Sequence, residues 1–240
     1  QYAKSKAAFL CEIPSKNFRV RIPKGVDGSL ERLSLDTELL DEAMATDVSK
    51  RFIPLFVVAT IGTTSTGDVD DADKISRVSR KYGAWVHVDG AYGGFLRLTE
   101  RGKRATGNLE LSDSVGLDFH KSLFMPHAIA ALIVRESEHL KNAFSLTTVH
   151  GVEAPYLPKD IRGSIPDSFC DLSPELTRPN RGINVWLPLA LHGIAAFRIE
   201  LDEKFDLTFY LAEQLKRIPS IEVTTTSLTI VTFCSKTIPG

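Results

Sequence analysis

The sequence is short of everything that would mark a special environment. Its three cysteines, Cys11, Cys170 and Cys234, stand far apart and in no Cys-x-x-Cys spacing. That argues against a zinc site or a disulfide scaffold and points to a reducing compartment. All three are expected to be core or incidental thiols. An excess of charge is missing too: 29 Lys and Arg face 30 Asp and Glu, a net charge of -1. Nothing in that balance offers a footprint for nucleic acid or an anionic membrane. The longest apolar stretch is read at residues 128–134, far short of the ~20 residues a membrane span needs, so no span is expected. Residues 1–10 lack the charged start, apolar core and small-residue cleavage site of a signal peptide, and a cytoplasmic location is the expectation. What remains is 43% hydrophobic and 25% charged. Such a composition excludes disorder and collagen and describes an ordinary globular chain.

The order of apolar runs and helical patterns is α/β. Residues 1–8 read as the opening of a helix. Ser34 or Asp36 can cap a helix running to about Val48, with Leu39, Leu40, Ala43 and Met44 as its buried stripe. Residues 55–59 form a strand-length apolar run, and after a Gly/Thr/Ser turn residues 71–82 show helical spacing, ending at Gly83 in the C-cap position. Strands follow at 85–88, 114–117 and 130–134, all read as parallel strands beneath helices. From Ser145 to Arg181 periodicity is lost among Gly and Pro residues, as in a functional loop or lid. A long helix over about 185–216, kinked near Pro188 or Asp202, precedes two strands at 221–223 and 228–233. The abrupt start and finish suggest a piece of a longer protein.

Two clusters carry chemistry. His87-Val88-Asp89-Gly90-Ala91-Tyr92-Gly93-Gly94 puts an acid at the end of a strand with small residues directly after it. Ligands of open α/β sheets bind beyond such ends, and small residues let a flat ring approach the backbone. The alternative is that Asp89 caps the next turn. In Leu117-Asp118-Phe119-His120-Lys121-Ser122 a Lys again follows a strand. A partly desolvated amine there can form a Schiff base, although an isolated Lys is ordinarily a solvated surface residue. Together the clusters suggest pyridoxal phosphate, which needs a Lys to carry it and an acid to keep its ring nitrogen protonated. About thirty residues separate Asp89 from Lys121, one passage from strand to strand, which brings both to one sheet edge. Thr63 and Thr64, after the preceding strand, would lie at the same edge and could bond the ring hydroxyl or phosphate.

With Ala59-Thr60-Ile61-Gly62-Thr63-Thr64 ahead of these clusters and Arg181-Gly182-Ile183-Asn184-Val185-Trp186 after them, the chain resembles the group II pyridoxal-phosphate amino-acid decarboxylases. That family includes the aromatic-L-amino-acid, glutamate and histidine decarboxylases. The resemblance implies fold type I, the aspartate-aminotransferase-like arrangement: a three-layer α/β/α large domain and a small α+β C-terminal domain. Residues 1–200 would belong to the large domain, and 201–240 to the linking helix and the start of the small one. It also implies a homodimer with active sites at the subunit interface. Lys121 would form the Schiff base, Asp89 would pair with the pyridine nitrogen, Ala91 would pack on the ring, and Thr64 and His120 would line the cofactor site. In the irregular segment, Pro155-Tyr156-Leu157-Pro158 best matches the family's mobile loop and nominates Tyr156 as proton donor, with His150 as runner-up.

Three departures stand beside the resemblance. Phe119 replaces the family's proline before His-Lys, leaving the backbone less constrained. Gln1 falls where the family has a ring-stacking His, and its amide cannot exchange a proton near neutral pH. The family's Gly/Ser-type phosphate turn falls in an N-terminal half not present in these 240 residues. Either a companion chain carries it or the sequence is a segment of a longer one. The expected activity is decarboxylation of an L-amino acid, with aromatic substrates favoured by Phe95, Phe119 and Phe124 near the motifs. The alternatives are aldehyde-forming oxidative deamination, transamination, carbon-sulfur lyase chemistry, or a catalytically silent cofactor-binding or dimerisation subunit.

Overall fold

A computed structural model describes residues 2–13, 34–145 and 169–236 of the chain. Helix α1 (Tyr2–Leu10) is followed, among these residues, by α2 (Thr37–Ser49). Asp36 starts α2, its carboxylate accepting the N–H groups of Glu38 and Leu39, donors that a first helical turn leaves unpaired. Next come β1 (Phe56–Thr60), α3 (Ala72–Arg80) and β2 (Trp85–Asp89). Asp71 caps α3 through the N–H of Lys74. A 3-10 turn (Phe95–Leu98) and α4 (Glu100–Thr106) then lead to β3 (Ser114–Asp118), α5 (Phe119–Ser122), β4 (Ala130–Val134) and α6 (Glu138–Phe144). A second 3-10 turn (Phe169–Asp171) precedes α7 (Gly182–Lys216) and the hairpin of β5 (Ile221–Ser227) and β6 (Ile230–Ser235).

The main sheet has the order β1-β2-β3-β4 and the hairpin forms a separate two-stranded sheet. β1, β2 and β3 are parallel, with Thr60 opposite Asp89 and Asp89 opposite Gly116. β4 runs antiparallel to β3, which corrects the expectation of a parallel strand there. Residues 119–129 are the reason: a connection of that length is too short for the dozen or more residues a parallel crossover takes.

Two buried clusters organise the side chains. In the first, Leu40 and Met44 of α2 and Ile75 of α3 pack on Val57, Ala59, Val86 and Val88 of the sheet. The second gathers Leu96, Leu123, Met125, Ile129, Phe197, Leu201 and Leu228. α7 breaks at Gly193 (φ 70°, ψ 158°), not near Pro188 or Asp202. A backbone without Cβ adopts that geometry readily.

Two readings of composition also change. Cys11 and Cys234 are exposed and Cys170 is half-buried, so none is a core thiol. The long apolar stretch lies in α7, not at residues 128–134. By length and composition alone α7 could cross a membrane. Its backbone leaves helical geometry at Gly193, within that length.

Candidate active site

The site is built on the carboxyl ends of the three parallel strands. Val86 and Val88 are buried in the first core, so alternation turns Trp85, His87 and Asp89 to the opposite face of the sheet. The backbone around Asp89 is locked on both sides: its carbonyl accepts the N–H of Ile61 at 2.9 Å, and Gly90 donates to the Gly116 carbonyl at 3.0 Å. The chain after Asp89 then folds back tightly. A Cβ on Gly94 would lie 2.2 Å from Leu117 Cδ2 and 2.6 Å from the Gly90 carbonyl, so only glycine allows this approach. Asp89 Oδ1 accepts the N–H of Ala91 at 3.3 Å. Asp89 therefore does cap its turn, and it does so with one oxygen at the mouth of the strand. Asp89 and Ala91 are both half-buried.

Lys121 sits on the single turn of α5, directly beyond β3. Its Nζ lies 3.0 Å from Asp118 Oδ2, with the Lys side chain 42% and the Asp side chain 22% exposed. His120 Nδ1 faces the Ile129 carbonyl at 3.1 Å, a partner that can only accept, so Nδ1 carries the proton. Its Nε2 is 3.7 Å from the same Asp118 oxygen, and its ring lies 5.2 Å from that of His127. Asp118 thus holds Lys121, and the Ile129 carbonyl orients His120. Sequence reasoning quoted Asp118 without giving it a role; its spacing three residues before Lys121, on a helical turn, was the available signal.

The loop after β1 separates the two threonines. Thr63 Oγ1 shares a hydrogen bond with Thr66 Oγ1 at 2.8 Å and accepts the N–H of Asp68 at 2.9 Å. The Asp68 carbonyl accepts the N–H groups of Gly62 and Thr63, each at 3.0 Å. Thr63 is therefore occupied within its own turn, whereas Thr64 is exposed. Asp70 ties the base of this loop down, accepting from Thr60 and Leu35, both at 2.7 Å.

Thr64, Asp89 with Ala91, and His120 with Lys121 are thereby brought to the ends of three neighbouring strands. Tyr156, His150 and Gln1 lie outside the described residues. Phe95 and Phe119, both half-buried, pack against each other at 4.6 Å beside the second core. Phe124 is exposed, with Lys204 over its ring at 5.6 Å.

The donor set fits pyridoxal phosphate. An acid with one oxygen committed to its own turn stands on one strand end, an amine on the next, and an exposed hydroxyl on the third.

Comparison with known proteins agrees. The pyridoxal-dependent decarboxylase conserved domain matches residues 23–236. An aromatic-L-amino-acid decarboxylase from Bacillus atrophaeus is 30% identical over 204 residues, covering 85% of this chain and 42% of that protein. A phenylacetaldehyde synthase from a Rosa hybrid cultivar is 29% identical over 212 residues, 85% of this chain and 39% of that protein. The crystal structure of Oryza sativa TDC with PLP and tryptamine superposes with a TM-score of 0.84 at 26% identity, over 97% of this chain and 46% of that one. The chain thus spans less than half the length of the relatives it matches. It has the fold-type-I architecture. With a domain match that runs through every motif of the site, the chain belongs to the pyridoxal-dependent decarboxylase family.

Proposed function

We propose that this chain is part of an enzyme that removes the carboxylate of an aromatic L-amino acid as carbon dioxide and releases the amine. The observation that carries the reading is the placement of Asp89 and Lys121 at the ends of adjacent parallel strands within the matched domain. Pyridoxal phosphate, when bound, supplies the electron sink that lets the carboxylate leave. Lys121 would hold it covalently through Nζ, and Asp89 would accept the N–H of its ring. Ala91 would lie against the ring, with Thr64 and His120 at its rim. Asp118 holds the Lys121 amine, and the Ile129 carbonyl holds His120. Tyr156 donates the proton that replaces the carboxylate at the substrate's α-carbon. The aromatic preference is supported by the relatives named above. Homodimerisation and a cytoplasmic location belong to the same reading; exposed Trp186, Leu187 and Leu191 on α7 offer apolar surface for contact with a second copy or with the rest of the protein.

The test is carbon dioxide and amine production by the full-length protein, together with the visible absorbance of its cofactor. Lys121→Ala is expected to abolish both. An intact cofactor absorbance with no carbon dioxide released from any amino acid would overturn the reading. The likeness to a phenylacetaldehyde synthase supports a second one. There, dioxygen and water are consumed and the products are an aldehyde, carbon dioxide, ammonia and hydrogen peroxide. Mass spectrometry of the products separates the two.

A further inference from the structure

We infer that the tip of the β5–β6 hairpin, Ser227-Leu228-Thr229, is a positioning element of the cofactor site that acts through Tyr92; this rests on the pyridoxal-phosphate reading above. The hairpin strands pair only with each other among the described residues, so no sheet register holds the tip where it is. The tip nonetheless reaches the loops after β1 and β2. Ser227 Oγ donates to the Gly67 carbonyl at 2.8 Å. A Cβ on Gly67, whose φ is +72°, would stand 2.6 Å from the Ser227 carbonyl. On the other flank, a Cβ on Gly62 would meet Tyr92 Cδ1 at 2.7 Å and Leu228 Cδ1 at 3.0 Å. The turn that presents Thr64 is therefore gripped at both of its ends.

The Thr229 hydroxyl is hydrogen-bonded to Tyr92 Oη. Tyr92 follows Asp89 by three residues, and its carbonyl accepts Ser122 Oγ at 2.5 Å, next to Lys121. Hydrogen bonds thus link the hairpin tip through Tyr92 to Ser122, the sequence neighbour of Lys121. Leu228 holds a left-handed φ of 51°, a conformation costly for a branched side chain, while its side chain is buried in the second core. The surroundings keep it there. Burial pushes the Tyr92 phenol above its ordinary value, against the opposing effect of the Thr229 bond, so its hydroxyl keeps its proton at neutral pH.

The test uses the full-length protein with Tyr92→Phe, Thr229→Val and the double variant, which remove the hydrogen bond and keep the packing. Pyridoxal phosphate is titrated into apo-protein, amide exchange is followed over residues 60–68, and the melting temperature of the apo-protein is recorded. Each single variant is expected to weaken cofactor binding about five- to tenfold, the weight of one net hydrogen bond, and the double no more than either single. Exchange at Gly62 and Thr63 should accelerate, and Thr229→Ser should restore the wild-type constant. Unchanged cofactor affinity in both single variants overturns the inference, and so does a lowered melting temperature of the apo-protein with unchanged affinity. If the wild-type protein takes up no pyridoxal phosphate, the functional reading falls with it; normal uptake with indifferent variants removes this inference alone.

Discussion

The core under the sheet draws all its residues from a short span, Leu40 to Val88, whereas the second core collects Leu96, Leu123, Met125, Ile129, Phe197, Leu201 and Leu228 from most of the chain. The first is made of local strand and helix neighbours, contacts with a small loop-closure cost. The second closes only when α7 and the hairpin arrive. Their roles differ accordingly: the first core keeps the sheet flat-faced and buried on one side, while the second carries the loops that present Asp89, Lys121 and Thr64. Both cores hold the fold together, and the second also packs beside the loops of the site.

Truncation in each core is the strongest way to break that division. Ile75→Ala, at a fully buried position, should cost about 2–5 kcal/mol of stability and leave cofactor affinity unchanged below the melting transition. Leu201→Ala, 1% exposed, should cost a similar amount and also weaken cofactor binding. Denaturant titration of apo-protein beside cofactor titration would measure both; an equal effect on affinity from the two variants would erase the distinction. A smaller effect of opposite sign is expected on α3, where the hydroxyls of Ser76 and Ser79 are buried with no hydrogen-bond partner among the described residues. Ser79→Ala should raise stability by up to about 1 kcal/mol, since an unmade hydrogen bond is a cost. Smallest is the exposed contact between α2 and α3. Hydrogen bonds from Lys81 and then from Tyr82 hold the Asp41 carboxyl below its ordinary value. A depressed carboxyl contributes stability above its unfolded value and loses it as pH falls through the folded one. Stability curves of wild type and Asp41→Asn should therefore differ at neutral pH and converge below about pH 4.

What could be read from the sequence follows the same division. Residues 55–59 and 85–88 stand out as apolar runs because both lie over the first core, and Asp71 and Gly83 mark the ends of α3 because capping is a local matter. Asp89 and Lys121 were legible as an acid and an amine directly after such runs. The direction of β4 was not, since Ala130–Val134 reads the same in either orientation and only the length of residues 119–129 carries the information. Nor was the break at Gly193, where Pro188 is the more conspicuous residue. Thr63 and Thr64 are chemically identical neighbours; only the fold of their turn engages one hydroxyl and exposes the other. The contact of Thr229 with Tyr92 joins residues remote in sequence, and no local pattern announces it.

The central claim is that Lys121 carries the cofactor at the end of β3. Borohydride reduction of the full-length protein loaded with pyridoxal phosphate, followed by peptide mass mapping, tests it most directly. A pyridoxyl adduct on Lys121 is the predicted result. An adduct on another lysine, or none in a protein that retains the cofactor's absorbance, would contradict it.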